Sequence, residues 1–525
     1  VSTQLLVGGR IYSPAAPDAT SMAITDGTVV WVGEDRPGRA LHPDAEVIDL
    51  DGAFVGPGFV DTHVHTTAVG LTLTGLDVAG ARSLRECLDL VRAYAATHDD
   101  AVVWGQGWDE TAWPDADRGP TTAELDEAAP GRAVYLARID AHSAACSTPL
   151  RASAAVPGDE PVTAGDHHRI RAVARELLTA EQRARARSAA LDRAAALGIV
   201  AVHECSGPDI AGRTDLAELL ATDHGVQVRA FWGEAVTDAD EATALLAATG
   251  AHALGGDLFV DGAIGSRTAW LSQPYADRPH TGTSYLDVDA VAAHLRACTI
   301  AGIQAGFHVI GDAAVDAAVA GFERVVTELG GPAVASCGHR LEHVEMIGAE
   351  QSAKLAAWGV VASVQPGFDA LWGGADGMYA RALGADRALA MNPFAAMASA
   401  GVSLAIGSDA PVTPLNPWDS LRAAVHHRTD GSGISPRAAY SAATRGAWRA
   451  GGVRDGLAGT LVPGAPASYA VWEAGDLVVT AAKDTVQRWS TDPRSRVPAM
   501  PRLDDDTPNP VCLRTVHRGV TIHER

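Results

Sequence analysis

The chain has 525 residues, 47% of them apolar, enough for a large α/β domain and a smaller companion. Its formal charge of −23 comes from sparse bases and not from an acidic tail, so nucleic acid is not an expected partner. The 6 cysteines lie far apart without a C-x-x-C pair, which argues against a disulfide framework or zinc ribbon and fits a reducing cytoplasm; no run reaches the roughly 18 apolar residues of a membrane span.

Residues 4–56 read as short alternating strands, Leu5–Val7, Ser21–Ile24, Thr28–Val32 and Ala45–Leu50, separated by Gly, Pro and Asp. Pro57-Gly58 breaks that pattern, and an apolar strand then ends in His63-Val64-His65. Alternate side chains of a strand share a face, so His63 and His65 can hold one ion together. From there the pattern is strand, helix, strand, as a (β/α)₈ TIM-like barrel requires, with candidate strands at 59–65, 199–204, 226–232, 257–262, 303–309, 338–344, 360–365 and 403–409. The interval 66–198 is too long for one crossover. It holds the strand-like Ala101–Gly105 and Ala133–Arg138, the stretch Gly107-Trp108-Asp109-Glu110, and one helix expected over 172–197 that stops at Gly198. An insertion after a barrel strand emerges on the catalytic face, where it can form a wall or lid. Near the end, Ser468–Trp472, Val511–Val516 and Gly519–Ile522 again read as strands, while Thr491–Pro510 reads as a surface loop. The expected organisation is a small β-sandwich built from 1–57 and 456–525 around a barrel of 58–455, with the insertion at about 70–198.

Three later apolar runs also end in candidate ligands: His308 before Val309-Ile310-Gly311-Asp312, His343 after Arg340-Leu341-Glu342, and Asp409 in Gly407-Ser408-Asp409-Ala410-Pro411. Imidazoles and a carboxylate suit Zn²⁺ and related divalent ions, which bring the pKa of water towards neutrality; Asp409 beside the ion can then take the water's proton and hand it to a leaving nitrogen. Each residue has a plainer reading when taken alone. His308 can be a core histidine, Asp409 can cap a turn, Asp312 suits a helix N-cap, and Glu342 faces away from His343 and pairs with a base. Together, in barrel order, they are far more specific than any one of them.

These pieces, with Asp140-Ala141-His142, Val260-Asp261-Gly262-Ala263 and Pro274-Tyr275, make the chain resemble the amidohydrolase superfamily, in the branch of metal-dependent hydrolases (amidohydrolase family 3) that contains the N-substituted formamide deformylases. The resemblance implies a metal-bearing barrel with a two-ended β-sandwich, and carries the ligand roles to His63, His65, His308, His343 and Asp409. One position departs from it. Where this branch usually has a lysine that bridges two metals once carboxylated, Gly256-Asp257-Leu258-Phe259-Val260 has Asp257. The only lysines are Lys354, after the sixth strand, and Lys483, in the terminal region, so no carboxylated lysine is expected. Asp257 is a short carboxylate that either bridges two ions or is not needed, and one ion, with ligands His63, His65, His308 and Asp409 and with His343 near the water, is the expectation.

Substrate clues are weaker. Trp108, Trp113, Trp270, Trp372 and Trp418 fall in loops or strand ends, and Asp109 follows the first of them. Convergence of several would favour an apolar or aromatic group, though packing accounts for such residues equally well. His142 and Arg340 are candidates for polarising a carbonyl or holding a carboxylate. The expected activity is hydrolysis of an amide, formamide or N-acyl C–N bond in a small molecule. The alternatives are a deaminase of a nitrogen heterocycle and an inactive barrel that only binds a small ligand. A homodimer is the assembly left open.

Overall fold

The computed structural model describes residues 2–479 and 497–525. Lys483 and the 491–496 part of the expected surface loop lie outside the described residues. The beginning of the chain forms a four-stranded sheet in the order Thr28–Gly33, Ser21–Thr25, Thr3–Val7, Glu46–Asp49. A second sheet joins both ends of the chain: Arg10–Ile11, Phe54–Pro57, Tyr469–Glu473, Val511–His517 and Val520–Glu524. Its register sets Tyr469 opposite both Pro57 and Val516. Alternation explains the pairing, because Leu6, Ile24, Val55, Tyr469 and Val516 all turn into one shared core.

Between these ends the chain winds a barrel-like α/β ring. Gln227–Trp232, Ile199–Ser206 and Phe59–Val64 form a parallel sheet of three. Gly306–Val309, Arg340–His343, Val361–Val364 and Ser403–Ile406 form a parallel sheet of four. Helices after the strands cover the outside, and near-continuous Val, Ile and Ala runs suit strands buried on both faces.

The ring is not the closed eight-stranded barrel expected from the sequence. At one seam Val64 and Ala410 make a single bridge; at the other, isolated bridges join Phe231 to Ala253, Leu254 to Ala305 and Phe259 to His308. The run 257–262 forms no strand. Gly256 has φ +72°, which breaks extension, and a Cβ on Gly255 would lie 2.5 Å from the Gly306 nitrogen, so the backbones cross too closely for a ladder. The Asp261 carboxylate instead accepts from the amides of Ile310 at 3.0 Å, Gly311 at 2.8 Å and Trp270 at 2.9 Å.

The insertion carries its own sheet, with Val102–Trp108 and Ala133–Arg138 parallel at its centre. The single helix expected over 172–197 is two, Ala164–Glu176 and Ala180–Ala196. Thr179 ends the first and starts the second, because its hydroxyl accepts from the Gln182 amide and the Gln182 side chain accepts from the Thr179 amide in return.

Four aromatic rings lock the ring to the two-ended sheet. Trp418 lies 5.2 Å from Phe59, 5.3 Å from Trp472 and 5.9 Å from Tyr440 between ring centroids. Trp418 is 1% exposed, so Trp418→Ala is expected to cost about 3–5 kcal/mol through cavity formation. Chemical denaturation checks this; a loss below about 1 kcal/mol would mean that the junction does not hold the two parts together.

Candidate metal centre

The carboxyl ends of the ring bring His63, His65, Asp257, His308, His343 and Asp409 into one buried cluster. Asp257 is its hub: Oδ1 is 3.4 Å from His63 Nε2, 3.3 Å from His308 Nδ1 and 3.9 Å from His343 Nε2, while Oδ2 is 3.2 Å from His65 Nε2. Asp409 Oδ1 lies 3.5 Å from His63 Nε2 and 3.1 Å from His65 Nε2. Backbone turns aim two of these side chains. His343 has φ +69° and Val344 φ +53°, so the strand ends by swinging His343 back towards the cluster; Asp409 has φ +55° and its amide donates to the His63 carbonyl at 2.7 Å.

The outer nitrogens fix the tautomers. His63 Nδ1 donates to Glu342 Oε2 at 2.9 Å, His343 Nδ1 donates to Gln365 Oε1 at 2.7 Å, and His308 Nε2 donates to the Gly262 carbonyl at 3.1 Å. In each ring the remaining nitrogen, a lone pair, faces Asp257 or Asp409. The buried His63 Nε2, His343 Nε2 and Asp409 Oδ1 have no hydrogen-bond partner. Lone pairs directed at carboxylates repel unless a cation lies between them, and imidazoles held by second hydrogen bonds are the usual form of metal ligands. The donor set therefore fits a divalent metal.

The electrostatics agree. Burial disfavours the charged form of His65, yet Asp257 and Asp409 raise its pKa to about 9. Burial pushes Asp257 up, and the imidazoles around it, His63 first and then His308 and His343, outweigh it and hold the carboxyl well below its ordinary range. The cluster thus draws positive charge, and a metal ion answers the same field that protons answer in its absence. Beneath it, burial raises Glu342 but Arg340 and His63 bring its pKa down to about 2, so Glu342 is ionised and accepts from His63.

Mutual proximity groups the donors as His63, His65, Asp257; as His63, His343, Asp409; as Asp257, His308, His343; and, beneath the cluster, as His63, Cys205, Glu342. Among the described residues no such group joins His308 to His63, His65 or Asp409. The one lysine among the described residues, Lys354, sits on the outer helix Ala349–Trp358, 3.3 Å from Glu350 and 3.4 Å from Glu323.

The substrate candidates divide. His142 lines the cavities beside the cluster, its ring 5.2 Å from that of His308; burial, then the His308 charge, holds its pKa well below the ordinary value, so it is neutral. Arg340 is not a substrate residue: it is 0% exposed, its guanidinium forks onto Glu342 at 2.5 and 2.9 Å, and it also donates to the Thr62 carbonyl and His203 Nδ1. Trp108 is packing, 3% exposed with Nε1 donating to the Leu136 carbonyl at 2.8 Å. Trp270 packs on the ring's core, and its amide donates to Asp261. Asp109 caps the turn Glu110–Ala112 and accepts from Trp372 Nε1 at 3.4 Å. Of the five tryptophans, Trp372 reaches the site; Trp104, from the insertion, reaches it from the other side.

Two narrow chambers flank the cluster. One is walled by Ile264, Ile310, Phe368, Trp372, Met378 and Val412, and the other by Trp104, Tyr135, Arg171 and Phe259 with His142. The insertion is tied down here by Arg138, 2% exposed, which donates to Glu110 at 3.0 Å and to Asp140 at 2.8 Å; Asp140 in turn accepts from Ser266 at 2.7 Å. Gln365, just past the strand Val361–Val364, had no motif to mark it as a partner of His343, and Glu342 was expected to pair with a base but not with His63; Asp257 was marked only through the lysine it replaces.

A cluster of imidazoles and carboxylates at the carboxyl ends of a parallel α/β ring defines a metal-dependent hydrolase. The chain belongs to the amidohydrolase family, whose profile matches residues 46–523. It is 28% identical over 463 residues to the protein LONG AFTER FAR-RED 3 of Arabidopsis thaliana, covering 81% of this chain and 78% of that protein. It is 23% identical to an N-substituted formamide deformylase of Arthrobacter pascens, covering 81% and 83%. The crystal structure of an uncharacterized metal-dependent hydrolase from Pyrococcus furiosus matches 89% of this chain and 98% of that one, with 25% identity and a TM-score of 0.69. Among the described residues no helix is long and apolar enough to cross a membrane.

Proposed function

We propose that the chain is a zinc-dependent amidohydrolase that cleaves the C–N bond of a small amide, formamide or N-acyl compound. The observation that carries this reading is the set of imidazole lone pairs held inward around Asp257 and Asp409. The formamide deformylase among its relatives supports the bond class. His63, His65, His308, His343, Asp257 and Asp409 would hold the metal, and a mixed nitrogen and oxygen donor set suits Zn²⁺. Asp257 belongs both to the group with His63 and His65 and to the group with His308 and His343, which favours two ions sharing that carboxylate over the single ion expected from the sequence.

A bound divalent ion supplies Lewis acidity, polarising a carbonyl and lowering the pKa of water. Asp409 Oδ1, without a protein donor of its own, accepts a proton from the attacking water and passes it to the leaving nitrogen. The water's hydroxyl ends on the carbonyl carbon and its proton on the amine. Neutral His142 donates a hydrogen bond to the carbonyl oxygen as charge develops there. The chamber of Ile264, Ile310, Phe368, Trp372, Met378 and Val412 receives the substrate's apolar group, and the narrow chambers limit the substrate to a small molecule.

Chelation is expected to abolish turnover of a panel of N-acyl and N-formyl amines and to lower the thermal midpoint, and Zn²⁺ to restore both. Equal amounts of amine and carboxylate are the expected products. Ammonia released from nitrogen heterocycles, with the amide panel untouched, would assign a deaminase instead. Full metal occupancy with neither activity would leave a binding barrel.

A further inference from the structure

A second cavity, of about 450 Å³, opens at the amino ends of the ring strands, opposite the end that carries the metal donors. Arg229, Arg445, Arg449 and Arg454 line it together with His252. One carboxylate residue, Asp455, shares the wall, and its Oδ1 already accepts from the Leu457 amide at 2.9 Å. Arg454 donates to the Ser336 carbonyl at 3.3 Å, and among the described residues none of the four arginines forms an ion pair. Among the described residues, four guanidiniums with no ion pair and one shared carboxylate in a single cavity are unexpected in a chain of net charge −23, where carboxylates are in excess.

The floor of the cavity adds a further unmatched donor. Arg229 is half-buried and its Nε has no partner. Gly451, which lines the cavity, packs on His203: a Cβ at that glycine would lie 2.6 Å from His203 Nε2 and 3.1 Å from Arg229 Cδ. His203, 0% exposed with its Nδ1 accepting from Arg340 Nη1 at 2.9 Å, lies behind Gly451 and outside the cavity, so it brings no negative charge to the floor. Burial and the Arg340 charge lower the pKa of Arg229, and burial and the Arg229 charge lower that of His252. Both groups thus sit in a field that lacks negative charge.

We propose that this cavity is a binding site for a small multivalent oxyanion, the chemistry shared by phosphate-bearing and dicarboxylate metabolites. The planar forks of Arg445 and Arg449, one helical turn apart on Arg445–Ala450, match the oxygen pairs of such a ligand from one side, and Arg229 meets it from the floor. The volume suits a small molecule. The site is separate from the metal centre and does not depend on the activity assigned to it.

Calorimetric titration of the intact protein with inorganic phosphate and with succinate tests the site. Saturable binding is expected, weakened at least about tenfold in Arg445→Ala/Arg449→Ala, whose side chains are exposed and not needed for folding, and retained in His63→Ala. Tighter binding of phosphate or of succinate identifies the ligand's anionic group. Loss of binding in His63→Ala with retention in the double variant would move the anion to the metal centre and overturn the proposal. So would the absence of saturable binding of either probe.

Discussion

His63→Ala is expected to lose bound metal and at least about a thousandfold in kcat/KM while remaining folded. The imidazole belongs to three of the four donor groups, one of them with Cys205 and Glu342, and is held from below by Glu342. Removing it leaves the Arg340–Glu342 pair intact, with Arg340 still donating to the Thr62 carbonyl, so no buried charge is stranded. Metal analysis of the purified variant together with circular dichroism is the check. Wild-type metal content would remove His63 from the ligand set, and an unfolded variant would mean that the Glu342 contact serves the fold first.

Asp257→Asn is expected to lose about one equivalent of metal and roughly a hundredfold in rate. The amide keeps the size of the carboxylate but presents only one acceptor oxygen, and a neutral group is a poor bridge between two cations. Both oxygens of Asp257 face histidines, Oδ2 towards His65 and Oδ1 towards His63, His308 and His343. Metal stoichiometry of the wild type and the variant decides the matter. One equivalent in each, with activity retained, would return the single-ion expectation and make Asp257 a spectator. Bicarbonate should leave the rate unchanged, since Asp257 stands at the bridging-lysine position and Lys354, the one lysine among the described residues, is engaged with Glu323 and Glu350 on the outer face.

The strand pattern made the parallel ring legible because apolar runs of fixed length ending in His or Asp carry period and punctuation together. The seams were not legible. Whether residues 257–262 join a ladder depends on how closely Gly255 approaches Gly306, a contact between distant segments with no local signature. Arg340 misled for a related reason: a lone arginine beside a strand-end histidine reads as a substrate ligand until Glu342, His203 and Thr62 are found around it. Trp108 was a similar case, since an aromatic next to an acid is as consistent with a packed insertion as with a pocket. His343 came to the cluster through a positive φ that strand alternation alone would have sent to the other face.

The thin joins of the ring give the ligand set a mechanical meaning. His63 and His65 follow from the three-stranded sheet, His308 and His343 from the four-stranded sheet, Asp257 stands in the segment at one seam, and Asp409 precedes the bridge at the other. Ions held by these side chains would therefore link the two sheets across both seams. They would act as a clasp on an otherwise open hoop, so that the free energy of metal binding would become resistance of the hoop to springing apart. The thermal shift between chelated and Zn²⁺-loaded protein measures the strength of that clasp.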